Sequence, residues 1–358
     1  MEKKKFSLGK LWSNYSYIFV MVLIIIGYAV ALGANGVSFK WSHVAAILAS
    51  QNTCIVGTMA LGMALVVITG NIDLSLGSSL VLCTSVCIVV YNITGSAALM
   101  LISAVLAGAL CGLINGCLIG LAKMQAFIAT LGTMLIYRSL ALSVVRSLPQ
   151  EITGSGSSQF ALKPGSETYD FLRLKFGTGK LAIGSFAIPW ITMLFFALAV
   201  IIILVSKKTK FGKSVYAIGS NAGAARLAGI NVTGVKIAVF VITGILVGFA
   251  SFIQACKIGN ITPASSGQSY EMYAVAAIVL GGISMAGGKG NLVGIIFGAI
   301  SYTTINFIIV SIPALSVDIQ NAFQGLVLIV VILVQTLGPI IKEKVDTKKK
   351  RKAAAAAK

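Results

Sequence analysis

The chain has 358 residues, 57% of them apolar and 10% charged, against roughly 45–50% and 25% in a soluble domain. With a mean hydropathy of +0.96 it falls outside the water-soluble enzymes, and since about 20 apolar residues cross a hydrocarbon core it has length for many crossings. Lys and Arg number 28 against nine Asp and Glu, a net charge of +19; because the basic residues sit in short polar gaps they read as determinants of topology, not as a nucleic-acid surface.

Lys3, Lys4 and Lys5 open a tail, 1–16, that precedes the apolar run 17–32. That run is longer than a signal-peptide core and many more follow, so it is expected to stay as the first membrane helix. Apolar runs predict crossings near 17–34, 44–69, 74–93, 97–121, 125–145, 187–206, 236–256, 271–286, 291–312 and 318–341. The expected fold is an all-α polytopic membrane protein of about ten transmembrane helices, one membrane domain over 17–341 between the tail 1–16 and a basic tail 342–358. Lys207, Lys208, Lys210, Lys213, Arg226 and Lys236 crowd one gap, and placing it inside puts both ends in the cytoplasm and makes the number of crossings even. The two long gaps are 147–186, outside, whose Gly154, Ser155, Gly156, Ser157 and Ser158 suggest a mobile loop, and 207–235, inside.

In the inner gap, Asn221 suits the cap of a short helix over 222–228, and Gly229 its left-handed stop. At 1.5 Å per residue this helix is only about 10 Å long and cannot stand alone, so it is expected to rest on its own domain, a partner or both. Gly219, Ala224 and Ala225 permit close approach, Arg226 offers a directional charge beside Leu227, and a docking knob fits better than a linker. Phe211-Gly212-Lys213-Ser214 imitates the end of a phosphate-binding loop, but Lys207 stands where the first glycine is required and no buried strand precedes it; Gly287-Gly288-Lys289-Gly290 fails likewise. With no nucleotide site read in the chain, energy has to come from a partner or an ion gradient.

A gradient-driven carrier keeps carboxylates or histidines in the membrane, and here only Asp73 and Glu271 qualify, His43 lying near a span end. Asp73, in Thr69-Gly70-Asn71-Ile72-Asp73, is expected to cap a helix start with Ser75, and Glu271 to occupy a first turn. Asn71, Asn115, Thr130, Thr133, Tyr137 and Asn306 could hydrogen-bond a neutral substrate or glue helices together. Gly108, Gly112, Gly116 and Gly120 form a ladder for close helix packing. The six cysteines lie in apolar stretches without metal-ligand spacing, and no metal is expected.

Thr69-Gly70-Asn71-Ile72-Asp73-Leu74-Ser75-Leu76-Gly77-Ser78, Leu113-Ile114-Asn115-Gly116 with Phe127-Ile128-Ala129-Thr130-Leu131-Gly132-Thr133-Met134, Ala217-Ile218-Gly219-Ser220-Asn221 with Ala224-Ala225-Arg226-Leu227-Ala228-Gly229-Ile230, and Tyr270-Glu271 leading to Gly287-Gly288-Lys289-Gly290 resemble, in the same order, the permease subunits of ribose-type ATP-binding-cassette importers. The resemblance implies that family's fold, a bacterial inner-membrane location, a second permease copy in a homo- or heterodimer, cytoplasmic ATPase subunits that bind ATP and Mg, and an extracytoplasmic sugar-binding protein. It also implies that Asn221 to Gly229 is similar to the helix that docks on the ATPase. The chain itself is then expected to hold no cofactor and to catalyse nothing. Two features depart from the pattern: Tyr273 replaces an acidic residue, and 147–186 is long.

Overall fold

The computed structural model describes residues 8–156, 158–183 and 186–312, with scattered helical positions between 322 and 333. Helices dominate because a backbone crossing lipid has to satisfy its own polar groups. α1 (Leu8–Ala34) is followed by α2 (Trp41–Ala49), which joins α3 (Gly57–Ile68) through a π-helical turn, Asn52–Val56, and a bend of 51°. α4 (Leu76–Thr94), α5 (Ala97–Gly120) and α6 (Ala126–Ser147) follow with short connections.

The segment after α6, expected to be a mobile loop, is instead folded. It holds α7 (Gln150–Thr153), strand β1 (Phe160–Ala161), α8 (Glu167–Asp170), a π-helical turn over Phe171–Gly177 and the antiparallel hairpin β2 (Lys180–Ile183) and β3 (Phe186–Pro189). Phe160 and Leu172 are fully buried. Asn92 of α4 donates through Nδ2 to the carbonyls of Ile152 and Ala161, both at 2.9 Å, and its Oδ1 accepts from the Lys163 amide at 3.0 Å. One side chain satisfying three backbone groups replaces the water a mobile loop would need.

α9 (Trp190–Lys208), α10 (Lys210–Ser220), α11 (Ala222–Leu227) and α12 (Val232–Ile258) come next. Strand β4 (Asn260–Ile261) then pairs with β1, and α13 (Tyr270–Leu280) and α14 (Val293–Val310) follow. Among the described residues seven helices are long and apolar enough to cross a membrane, eight with the bent α2–α3 pair. The expectation of about ten is therefore not met within them. The run 271–286 yields α13, 11 residues long and about 16 Å at 1.5 Å per residue, roughly half a hydrocarbon core. It stops at Gly281 and Gly282, the latter at φ +80°. The predicted crossing 318–341 lies largely outside the described residues.

α3 is the hub, buried along its whole length, which is why its sequence is apolar all round. The glycine ladder of α5 faces α12: Gly108 lies on the Gly244 carbonyl, Gly112 on that of Phe240, and a Cβ on Gly116 would come 2.9 Å from the Ile237 Cα. Backbone meets backbone here, so a side chain has no room to turn aside. Gly112→Val is expected to cut the yield of folded chain severely, whereas Gly132→Ala, at a position with open space around it, leaves the yield unchanged in detergent size-exclusion chromatography.

Candidate translocation site and docking protrusion

Between α3 and α4 the chain leaves helical geometry at Thr69 and resumes it at Leu76. Asp73, 3% exposed, was expected to be the helix cap; that position belongs to Ser75. Asp73 instead closes the turn leading into it, its Oδ1 accepting from the Ser75 amide at 2.8 Å and the Ser75 hydroxyl at 2.7 Å. The correction has a local cause, because an Asp reaches the amide two residues on more easily than it caps a helix that starts three residues away.

The network continues across the fold. Asn115 of α5 donates to Ser75 Oγ at 2.8 Å, and Tyr137 of α6 donates to the Cys111 carbonyl at 3.0 Å and toward Asn115 Oδ1 at 3.4 Å. Thr130 Oγ accepts from the Leu74 amide at 3.1 Å while donating to the Ala126 carbonyl at 2.8 Å. Asp73, Asn115, Thr130 and Tyr137 thus come together around the break. Thr133 reaches the network through Tyr137, Glu271 approaches it from α13, and Asn71 and Asn306 stay outside it. Thr133 donates to the Thr130 carbonyl of its own helix at 3.2 Å, Asn71 donates to Thr69 within the turn at 2.9 Å, and Asn306 lies half-buried on α14, whose main neighbours are α1 and α13.

Glu271 stands in the first turn of α13. Its carboxylate lies over Gly77, where a Cβ would meet Oε2 at 2.8 Å, and Gly77 also touches the Gly267 carbonyl. The N-termini of α4 and α13 therefore meet, their exposed amides and dipoles facing the carboxylates of Asp73 and Glu271. Arg138, near the middle of α6, completes the cluster. Its Nη1 donates to the carbonyls of Pro263 and Ser266 at 2.8 and 3.0 Å, its Nε donates to Ser78 Oγ at 3.3 Å, and it is within electrostatic reach of Glu271. Sequence reading missed Arg138 as a site residue, although an arginine in the middle of an apolar span is itself the signal. Two carboxylates, a guanidinium and several hydroxyls inside a membrane protein suit a ligand that both donates and accepts hydrogen bonds without carrying charge. Among the described residues no group of three metal-ligating side chains stands together.

The second feature is a protrusion. Asn221 Oδ1 accepts from the Ala224 amide at 2.9 Å, starting α11, and Gly229 at φ +80° ends it after Ala228. Ala225 is buried with Ile218 and Val232, while Arg226 is exposed and Leu227 is 92% exposed. Gly219 presses the base of the protrusion against the end of α3. A Cβ there would collide with the Ile68 carbonyl and come 2.6 Å from the Gly288 nitrogen, and Gly288 itself donates to Ile68 at 2.9 Å. Tyr216 of α10 adds a hydrogen bond to the Gly290 carbonyl at 3.0 Å. The protrusion thus rests on the end of α3, just before the turn 69–75, and on the turn 281–292 after the short helix α13. Gly212, Lys213 and Ser214 lie within α10.

Residues 43–332 match the family model described as branched-chain amino acid transport system / permease component. The chain belongs to this permease family. Similar relatives include the ribose import permease protein of Escherichia coli, 34% identical over 291 residues covering 81% of this chain and 84% of the relative. That of Haemophilus influenzae is 32% identical, covering 94% and 96%. The galactose/methyl galactoside import permease protein of Escherichia coli is 30% identical, covering 81% and 84%. No solved structure matches the chain significantly. The base of the protrusion is joined through Gly219 to the Ile68 carbonyl, one residue before the break that leads to Asp73, and to Gly288. Gly219→Leu is accordingly expected to abolish transport, because the collision is with backbone and no rotamer relieves it. Uptake at the wild-type rate by a folded Gly219→Leu chain would sever the proposed link.

Proposed function

We propose that the chain is the membrane-spanning permease subunit of an ATP-binding-cassette importer and forms the path for a sugar, a ribose-like monosaccharide or a related polyhydroxylated solute. The carrying observation is that α4 and α13 begin beside one another at Asp73, Glu271 and Arg138, while the end of α3 and the turn after α13 bear on the α10–α11 protrusion. The import of ribose and galactose named for the relatives supports the substrate class. Sugar hydroxyls donate and accept at once, which fits carboxylates and a guanidinium held apart by backbone contacts.

In this reading α11 faces the cytoplasm and docks on an ATPase subunit that binds ATP and Mg. The termini are cytoplasmic in a bacterial inner membrane, a second permease copy completes the pathway, and an extracytoplasmic binding protein delivers the sugar. ATP-driven closure of the motor pushes α11. Through Gly219 the push reaches the ends of α3 and α13, and tilting them opens the cluster alternately to each side. Modest affinity suffices in the membrane when selection occurs in the binding protein. The chain has no catalytic role; hydrolysis belongs to the partner.

The test is uptake of labelled ribose and galactose into proteoliposomes carrying the chain with its ATPase and binding protein. ATP-dependent uptake that needs all three components is expected. Uptake by the chain alone under a proton or sodium gradient would overturn the reading in favour of a secondary carrier.

A further inference from the structure

A groove of about 540 Å³ lies outside the cluster and the protrusion, between the π-helical turn over Phe171–Gly177 and the start of α9. Phe171, Leu174, Phe176 and Trp190 give it apolar walls, and Lys175 and Lys180 line it as well. Phe171 is 51% exposed, Leu174 61% and Trp190 38%. Water is a poor neighbour for so much aromatic and aliphatic surface in one place. Trp190 is the first residue of α9, a candidate span, and tryptophan at a span end marks the headgroup level of a bilayer. The groove therefore opens where acyl chains meet headgroups.

Its charge is one-sided. Lys175 and Lys180 are exposed and no described carboxylate forms an ion pair with either. Lys257, at the end of α12, lies within electrostatic reach of Lys180 and Arg173, so a third and a fourth cation strengthen the same field. The nearest acids in sequence, Glu167 and Asp170, lie on α8 ahead of the turn and do not line the groove. Cations at a rim over an apolar wall match a molecule with a negative head and a hydrocarbon body.

We propose that this groove is a binding site for one anionic phospholipid of the surrounding bilayer. Its phosphate sits between Lys175 and Lys180, and an acyl chain covers Phe171, Leu174 and Trp190. A free phosphate would leave the apolar wall uncovered, and a zwitterionic lipid would leave the lysines without a net counter-charge. The bound lipid would tie the folded outer segment to the first turn of α9.

The full chain, reconstituted in nanodiscs of equal parts phosphatidylglycerol and phosphatidylcholine, is released into mild detergent, and the lipids it retains are counted by native mass spectrometry. Preferential retention of phosphatidylglycerol is expected. The double substitution Lys175→Ala with Lys180→Ala should weaken it about tenfold or more, at about a kcal/mol per surface lysine, while Lys163→Ala should not. Lys175→Arg with Lys180→Arg should keep it, which tests the charge even if the alanine pair folds poorly. Equal retention of the two lipids by the wild type, or equal losses in the Lys163→Ala control, overturns the proposal. So does a double variant that retains its lipid but loses association with the binding protein or with a second copy of the chain.

Discussion

Leu227→Asp is expected to reduce ATP-driven uptake to less than about a tenth while leaving membrane insertion and thermal unfolding unchanged. At 92% exposure the leucine contributes almost nothing to its own fold, yet burying it against a partner is worth about 1.5–3 kcal/mol. A carboxylate at that position loses the contribution and adds a desolvation cost. The helix beneath would survive, because its cap at Asn221, its stop at Gly229 and its buried Ala225 are untouched. Arg226→Glu should act in the same direction. The readouts are uptake and ATP hydrolysis stimulated by the loaded binding protein in proteoliposomes. Normal uptake by Leu227→Asp would mean that the protrusion is not where the motor docks.

Asp73→Ala is expected to cost the folded chain about 2–5 kcal/mol, because two donors on Ser75 lose their acceptor where no water reaches them. The thermal midpoint should fall by about 5 °C or more. Asp73→Asn keeps one acceptor oxygen in place and should restore most of the loss. The pair of variants also separates two roles. If Asp73→Asn is as stable as wild type and transports normally, the carboxylate only holds the break; if it is stable but transports poorly, its charge serves the pathway. An unchanged midpoint in Asp73→Ala would show that the network around Ser75 does not hold the break together.

Much of the site was legible residue by residue, and the failures share one cause. Asp73 was recognisable as the residue that manages a helix break, because glycine, asparagine and serine around an acid signal a turn whatever the fold. Its displacement from the cap to the turn before it depends on where α4 resumes. Thr130, Asn115 and Tyr137 were readable as polar groups on apolar helices, but not as one network, since their partners sit 22 to 58 residues away. Asn306 carries the same chemistry and took no part in it, lying on α14 beside α1 and α13. The segment 147–186 read as loose because its Gly and Ser are visible in sequence, whereas the anchors that fold it, Asn92 and Tyr91, come from α4.

The amino-acid order by itself determined that this is a helical, multi-pass membrane protein. It placed most of the long helices to within a few residues and marked the start and stop of α11, because hydropathy, capping and a left-handed glycine act over a single helical turn or a single span. Only the tertiary structure decided that α13 is a half-length helix, that its N-terminus meets that of α4 beside Arg138, and that Gly219 seats the protrusion against the end of α3 and the turn after α13. Those facts arise where backbones from distant parts of the chain approach closely enough to share hydrogen bonds. Such approach needs a glycine on one partner to face a bare stretch of backbone on the other, as Gly219 faces the Ile68 carbonyl, and no local pattern along one of them records which stretch that is.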